Sequence, residues 1–139
     1  MGLSYYRRIF RAYLWPSASQ LSFWHDRADI NSRAPTHALG EYHMTFEEKA
    51  DYAGPRDAEG IPLLNYHGII GLQYNPIAIA QWGLGNYNLF SRKGGVNAHG
   101  KFLKASDWLC EKLEQNSHGL HVWNHYFEWD YRQTLKASG

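Results

Sequence analysis

A helix-start signal at Asn75-Pro76 constrains the fold of this chain more than any other feature of its sequence. The asparagine side chain can accept a hydrogen bond from a free backbone N–H, and proline fits the first helical position. Apolar residues follow at the spacing of one helix face: Ile77, Ala80, Leu84 and Tyr87. A second apolar stripe of helical period runs from about Asn97 to Asn116, so we predict two successive helices.

Two glycines interrupt the first predicted helix, and each weakens it by about 1 kcal/mol relative to alanine. We therefore expect Gly83 and Gly85 to have a packing role, such as the close approach of a neighbouring helix. One of them belongs to a second stripe of small and polar residues: Tyr74, Ala78, Gln81, Gly85 and Asn88. This stripe is expected either to pack against another helix or to form one edge of a cleft.

The stripe of the second predicted helix is wholly apolar: Phe102, Leu103, Ala105, Leu109, Cys110 and Leu113. Gly119 is expected to end this helix, since helices often close on a left-handed glycine. Cys110 is the single cysteine of the chain, which excludes an internal disulfide and a cysteine-rich zinc site. Its position on the stripe predicts that it packs in the core.

The rest of the chain predicts one short helix and several extended segments. Residues 6–14 have the spacing of an amphipathic helix that ends before Pro16, with arginines outside its apolar face. Residues 40–46 and 61–66 are compatible with short strands. From residue 121 to residue 131 two sets of side chains alternate strictly, which predicts a strand or a bent hairpin with one aromatic face.

The fold class that these elements predict is α+β and mainly helical, in a single domain or fragment of residues 1–139. We expect an N-terminal helical segment at 1–35, an extended or β region at 36–73 and a helical region at 74–139. The aromatic strand or hairpin occupies residues 120–131 of the last region. With 44% hydrophobic and only 19% charged residues, the composition excludes intrinsic disorder.

Charge and hydropathy exclude several classes of protein. A net charge of +1 gives no basis for nucleic-acid binding. No apolar run approaches the roughly 18 residues of a membrane span, and Arg11 interrupts the apolar stretch that a signal peptide would need. We therefore expect a soluble protein without a nucleic-acid or membrane partner, and its compartment stays open.

Histidines near the C-terminal end raise the question of a metal site. His118, His121 and His125 would share a helix face with Glu128, but the local period is two. On a strand, His121 and His125 would lie about 13 Å apart, which is too far to share one ion. The paired glycines at 83, 85, 94 and 95 match no nucleotide-binding motif. We therefore expect neither a metal nor a cofactor.

Two stretches of the chain, read together, resemble the D-glucuronyl C5-epimerase family, whose enzymes act on heparosan and heparan precursors. The first is Glu-Gly-Ile-Pro-Leu at 59–63 followed by Tyr-Asn-Pro-Ile-Ala-Ile-Ala-Gln-Trp-Gly-Leu-Gly-Asn-Tyr at 74–87. The second is Ala-Ser-Asp-Trp-Leu at 105–109, which comes in the order expected for the family. The resemblance covers about residues 40–139.

The resemblance implies a fold and a reaction. Family members have an all-helical (α/α) toroid preceded by β elements, so the predicted helices would be the first of such a toroid-type domain. These enzymes convert D-glucuronate to L-iduronate by removing and returning the C5 proton, without a redox cofactor. The short gap between residues 87 and 105 resembles the compact bacterial form. The family's principal acid–base residues lie beyond the last matched stretch, so we expect this chain to be the N-terminal part and to lack them.

The residues that the resemblance places nearest a substrate cleft are Tyr74, Gln81 and Tyr87. Their implied role is contact with an acidic polysaccharide rather than proton transfer, and structural packing of the helix is the alternative. Aromatic rings at 123, 127 and 129 could stack on sugars or form a core face. The basic residues Arg92, Lys93, Lys101 and Lys104 could meet an acidic polymer or form a solvated surface.

Three functions stay open from the sequence. The first is a uronyl C5-epimerase homologue, incomplete in this chain, so that its own activity as an enzyme is uncertain. The second is a non-catalytic module for acidic-carbohydrate binding or assembly, which has an aromatic groove but no proton-transfer pair. The third is a degenerate fragment, whose exposed apolar faces would reduce the cooperativity of unfolding or be covered in a homo-oligomer.

Overall fold

The structure is a computed structural model, which describes residues 6–7, 10, 14, 20–25, 28–127, 129–131 and 133–135. Its helices are α1 (Gln20–His25), α2 (Glu47–Ala50), α3 (Pro76–Lys93) and α4 (Val96–Glu111). Its strands are β1 (Leu64–Asn65), β2 (Leu72–Gln73), β3 (Glu114–Gln115), β4 (His121–Val122), β5 (Trp129–Tyr131) and β6 (Gln133–Leu135). Each odd-numbered strand pairs antiparallel with the strand that follows it. These elements confirm the predicted α+β class.

Several smaller predictions are confirmed only in part. The isolated described positions 6, 7, 10 and 14 are helical, and the other residues of the predicted helix at 6–14 lie outside the described ones. The predicted strand at 61–66 reduces to β1, and the segment at 40–46 contributes one bridge between Met44 and Ile30. In the described part of the chain, no helix combines the length and the apolarity that crossing a membrane requires.

Helix α3 begins as the sequence predicts. The Asn75 side chain accepts a hydrogen bond from the Ala78 N–H at 3.1 Å, and Pro76 takes the first helical position. The helix ends after Lys93, where Gly94 has a φ of 67° and donates its N–H to the Phe90 carbonyl at 2.7 Å. The start of this helix therefore follows from signals that are local in the sequence.

Gly83 and Gly85 have the packing role that the sequence predicts. A Cβ atom at Gly83 would lie 2.7 Å from the Ala105 Cβ, because α3 and α4 approach each other closely here. A Cβ atom at Gly85 would collide with the Phe46 carbonyl oxygen, because the segment that enters α2 passes directly over it. Neither position leaves room for a side chain, which explains why glycine occurs inside this helix.

The buried side of α3 includes the small and polar stripe rather than the apolar one. Ala78, Gly85 and Asn88 are buried beside Trp82, whereas Ile77 is 66% exposed. Small residues let neighbouring segments approach the helix axis, so their side of the helix becomes the covered one. Of the two interpretations of this stripe, packing is therefore the one found at Gly85 and Asn88.

Helix α4 is shorter than predicted. It ends at Glu111 instead of Asn116, because Asn116 forms the turn of the β3–β4 hairpin. The Asn116 side chain accepts hydrogen bonds from the N–H groups of His118 at 2.9 Å and Leu120 at 3.0 Å. Gly119 has the expected left-handed conformation, with a φ of 78°, but it serves this turn and does not end the helix.

The prediction that Cys110 packs in the core is wrong, because its side chain is exposed. The buried line of α4 runs through Ala98 and Ala105, with Phe102 and Leu109 half-buried beside it. Cys110 lies about 140° around the helix from Ala105, at the edge of the apolar stripe. Because α3 covers only the side of α4 that carries Ala98 and Ala105, Cys110 at the edge of the apolar stripe is exposed to solvent.

The alternating segment at 121–131 does not form one continuous strand. β4 stops at Val122, because its partner β3 is only two residues long. Residues 123–127 then carry no regular structure, and a hairpin forms further along between β5 and β6. The predicted strand or hairpin at 120–131 is therefore divided between two hairpins, because β4 pairs with the preceding β3 and β5 pairs with β6 beyond residue 131.

The hydrophobic core lies between α3 and α4 and is closed by residues of α1 and of the segment at 52–64. Its buried members are Trp24, Tyr52, Ile61, Leu64, Ala78, Ile79, Trp82 and Ala105. The Tyr52 hydroxyl group donates to the Leu63 carbonyl at 2.8 Å, which satisfies the polar end of this buried ring. This core holds the turn at 55–62 against the first half of α3.

Candidate functional site

Tyr74 connects three separate stretches of the chain. It lies immediately before the cap of α3, and its ring packs against Trp108 of α4 with 5.2 Å between the ring centroids. Its hydroxyl group donates a hydrogen bond to Asp57 Oδ2 at 2.7 Å. Because β2 leads directly into the cap at Asn75, the start of α3 delivers this side chain to the turn at 57–61.

Asp57 organises that turn as well as holding Tyr74. Its Oδ1 atom accepts the backbone N–H groups of Glu59 at 2.9 Å and Ile61 at 2.8 Å. Burial alone would raise the pKa of Asp57, but the hydrogen bonds from Tyr74 and from the turn hold the pKa below its ordinary value. Asp57 is therefore charged at neutral pH.

The same contact fixes the protonation state of Tyr74. The hydrogen bond to the Asp57 carboxylate, together with burial, raises the pKa of Tyr74 to about 12. A phenol with this pKa stays protonated near neutral pH, and its proton forms the hydrogen bond to the Asp57 carboxylate. Tyr74 can thus position Asp57 and contact a ligand with its ring, but it cannot remove a proton near pH 7.

The other two predicted site residues lie elsewhere on α3. Gln81 is half-buried, and no described residue donates a hydrogen bond to its buried Oε1 atom. Tyr87 lies six residues further on, about 9 Å along the helix axis and about 120° around it. Its hydroxyl group donates to the Gly40 carbonyl at 2.9 Å, and its ring packs against Phe102. Gln81 and Tyr87 therefore lie on different sides of α3.

The aromatic residues proposed for sugar stacking are also separated. Trp123 donates its indole N–H to the Leu109 carbonyl at 2.7 Å, and 44% of the side chain remains exposed. Phe127 packs against Tyr66, with 4.6 Å between the ring centroids. The side chain of Trp129 lies outside the described residues. Of this set, Trp123 alone is shown with a substantially exposed ring.

The four basic candidates divide into two groups. Arg92 forms ion pairs with Glu41 at 3.3 Å and with Glu47, so its charge is already neutralised within the fold. Lys93 is exposed at the end of α3. Lys101 and Lys104 belong to α4, and both lie near the turn at 56–60.

Lys101 and Lys104 line an open groove of about 450 Å³, which we call the basic groove. The groove lies between the turn at 56–60 and the N-terminal half of α4, and the buried Trp82 is among the residues around it. The cations that line it are Arg56, Lys101 and Lys104, and the carboxylate that lines it is Glu59. Lys104 donates a hydrogen bond to the Glu59 carbonyl at 2.6 Å, which fixes one edge of the groove.

Arg56 is held rigidly at the base of this turn. Its guanidinium donates to the Gly60 carbonyl at 2.9 Å and to the Tyr52 carbonyl at 2.6 Å. It also stacks over the Trp82 ring, with 5.0 Å between the guanidinium carbon and the ring centroid. Burial lowers the pKa of Arg56 below its ordinary value, against the opposing effect of the charges of Tyr52 and Asp51. Among the described residues, no carboxylate forms an ion pair with it.

Sequence reasoning missed Arg56 and Trp82 as possible site residues. Arg56 lies in a segment of negative balance, because residues 34–60 contain two basic and six acidic residues. The one available signal was its position in the Gly-Pro-Arg-Asp turn that leads into the matched stretch at 59–63. Within the described residues, no group of three or more His, Cys, Asp or Glu side chains could hold a metal ion.

No family model, no curated protein and no solved structure matches this chain.

Proposed function

We propose that this chain is a uronyl C5-epimerase homologue that acts on a glucuronate-containing polysaccharide. The observation that carries the proposal is the mutual packing of the stretches on which the sequence resemblance rests. Tyr74 contacts Trp108 and the turn that begins at Asp57, and Gly83 contacts Ala105. The stretches that carry the resemblance thus pack against one another in the fold, which supports a common role for them.

The chemistry of the proposed reaction determines what each residue could do. The C5 proton is α to the uronate carboxylate, and it must be removed from one face of the ring and returned to the other. Cationic or hydrogen-bonding groups must stabilise the enolate-like charge that develops. Lys101 and Lys104 would supply positive charge, and the ring of Tyr74 would contact the saccharide. Because Tyr74 holds its proton, the acid–base pair must come from other groups.

The test is hydrogen exchange at C5 in heavy water with heparosan as the substrate. In the complete protein, deuterium incorporation into uronate residues is the expected result, with none into a neutral glucan used as the control. Tyr74→Phe keeps the ring but removes the hydrogen bond to Asp57, so we expect exchange to be reduced and not abolished. A folded protein that binds heparosan and yet exchanges no C5 hydrogen would exclude the epimerase proposal for this substrate.

One observation favours the non-catalytic alternative, a module that binds acidic carbohydrate. The hydroxyl groups of Tyr74 and Tyr87 both donate to groups within the fold, Asp57 and the Gly40 carbonyl. Neither hydroxyl group is therefore available as a general base in this arrangement. Binding of an acidic oligosaccharide without C5 exchange is the result expected for this alternative.

A further inference from the structure

We propose that the solvent-facing side of α4 is an interface on which a second copy of this chain docks, with the two α4 helices antiparallel. This proposal is independent of the proposed function, because it concerns assembly and not chemistry. Two observations support it: an apolar line along the exposed side of α4, and a distribution of charge along the helix that complements itself only in the antiparallel orientation.

The apolar line consists of three residues on the side of α4 that is turned away from α3. Val96 is 89% exposed, Leu103 is 43% exposed, and Cys110 is exposed as well. Because they are seven residues apart, they lie within about 40° of one another around the helix and extend over about 21 Å of its length. Apolar residues at this spacing are typical of a helix that packs along a second helix.

The charges of α4 and its flanking residues are divided between its two ends. Residues 93–104 contain three cations and no carboxylate: Lys93, Lys101 and Lys104. Residues 105–115 contain three carboxylates and one cation: Asp107, Glu111, Glu114 and Lys112. An antiparallel second copy sets the basic end of each helix beside the acidic end of the other, whereas a parallel copy sets like charges together.

The same division is unfavourable within a single copy. The first turn of α4 contains no acidic residue, its last turn contains no basic one, and among the described residues no side chain caps its first N–H groups. A helix is stabilised by anions near its N-terminus, but α4 carries Glu111 in its last turn. In an antiparallel pair centred on Leu103, Glu111 of the second copy would lie level with the start of α4. The second copy would thus supply the negative charge that the first turn lacks.

The apolar line also fixes the register of the pair. When the twofold axis passes through the centre of the line, Leu103 meets Leu103 of the second copy, and Val96 meets Cys110 of the second copy. A twofold axis makes such a pairing reciprocal, so each copy presents the same surface to the other. The 16 residues of α4 span only about 24 Å, so we expect a small interface and a dimer that dissociates on dilution.

The first test is sedimentation equilibrium of the intact chain from micromolar to millimolar concentrations, and a reversible monomer–dimer equilibrium is the expected result. Leu103→Asp sets two like charges against each other at the twofold axis, so we expect association to weaken by about tenfold or more. Ile69→Asp, at a fully exposed position between β1 and β2, is the matched control and should leave association unchanged. Thermal unfolding followed by circular dichroism verifies that both variants fold. A monomer at every concentration, or equal weakening by the two variants, would overturn the interface.

Cysteine cross-linking tests the orientation. In the antiparallel pair the two Cys110 residues lie about 21 Å apart, so the native chain should form no disulfide-linked dimer under mild oxidation. Val96→Cys places a second thiol opposite Cys110 of the other copy, so this variant should cross-link. Combining Val96→Cys with Cys110→Ser removes one member of each pair and should abolish the cross-link. Cross-linking of the native chain as fast as of Val96→Cys would indicate a parallel pair and overturn the proposal.

Discussion

Asp57 and Tyr74 illustrate how two side chains hold each other in opposite protonation states. The carboxylate accepts three hydrogen bonds, which lower the pKa of Asp57, and the charged acceptor raises the pKa of Tyr74 to about 12. Stabilisation from the raised Tyr74 pKa is complete below the ordinary tyrosine value of 10.0 and is lost as the pH rises through about 12. Stabilisation from the lowered Asp57 pKa is present above 3.8 and is lost as the pH falls through the depressed value.

Replacing the carboxylate tests this coupling directly. In Asp57→Asn the charged acceptor is gone, so we expect Tyr74 to ionise closer to the ordinary tyrosine pKa of 10.0. The measurement is the tyrosinate absorbance, with Tyr74→Phe subtracted to isolate this one residue. Glu48→Gln removes an exposed carboxylate and should leave the titration unchanged. An unaltered Tyr74 titration in Asp57→Asn would show that the hydrogen bond does not control it.

Two glycines offer a matched pair for a packing test. Gly85→Ala must displace the Phe46 carbonyl, so we expect it to destabilise the fold by about 1–3 kcal/mol. Gly100→Ala, in α4, meets no atom within 4 Å, so it should stabilise the helix by up to about 1 kcal/mol. Urea unfolding of both variants gives the comparison. Stabilisation by both substitutions would contradict the close approach of the 46–50 segment to α3.

At the scale of elements, Asn88 attaches the segment at 42–45 to α3. Its Oδ1 atom accepts the Tyr42 N–H at 2.6 Å, and its amide donates to the carbonyls of Met44 at 2.8 Å and Thr45 at 3.1 Å. The side chain is fully buried. One asparagine therefore satisfies three backbone groups of a segment that forms almost no ladder of its own.

Removing this side chain should release the segment. Asn88→Ala leaves buried backbone groups without partners, so we expect a loss of about 2 kcal/mol or more. Amide hydrogen exchange at Tyr42 should accelerate more than exchange within α3. Asn97→Ala, at an exposed position of α4, is the control and should leave Tyr42 protected. Continued protection of Tyr42 in Asn88→Ala would mean that other contacts hold the segment.

The elements also show what the sequence could predict. The start of α3 was predictable, because the cap at Asn75 and the proline at 76 act within four residues of each other. The buried side of α3 was not, because periodicity describes a helix and does not indicate which neighbours cover it. Asn116 and Gly119 suit a hairpin turn as well as a helix end, and only the pairing of β3 with β4 distinguishes these alternatives.

At the scale of the whole molecule, a four-residue charge network joins the N-terminal half to α3. Glu41 and Glu47 each pair with both Arg33 and Arg92. Hydrogen bonds from Asn31 and Arg92 lower the pKa of Glu41, and the hydrogen bond and charge of Arg92 lower the pKa of Glu47. Both depressed values stabilise the fold above the ordinary glutamate pKa of 4.5, and this stabilisation is lost as the pH falls.

Arg92 pairs with both glutamates of this network, so its removal should make the free energy of unfolding depend less on pH below neutrality. We expect Arg92→Gln to cost a few tenths to about 1 kcal/mol at neutral pH, since these pairs are partly exposed. The cost should shrink as the pH falls below 4.5. Thermal unfolding across the acid range measures this, with Lys93→Gln as the neighbouring control. A cost independent of pH would assign the effect to packing of the arginine stem.

The basic groove shows why part of a site escapes sequence analysis. The sequence identifies Lys101 and Lys104 as cations on a helix surface. Arg56 and Trp82 become neighbours of this groove only because the turn at 56–60 packs against α3. The resemblance directed attention to Tyr74, which precedes the cap of α3, and to Gln81 and Tyr87, which lie on different sides of that helix. Tertiary packing thus determines which side chains share a groove, and no local pattern encodes that adjacency.

The close contact between α3 and α4 also bears on the order in which the chain folds. These helices are consecutive and joined by two glycines, so Gly83 can meet Ala105 after a short loop closes. Asn88 must instead find Tyr42, 46 residues away in the chain, after a larger loss of chain entropy. We expect the helical hairpin to form first, so that Gly83→Ala slows refolding and Asn88→Ala mainly speeds unfolding in stopped-flow experiments.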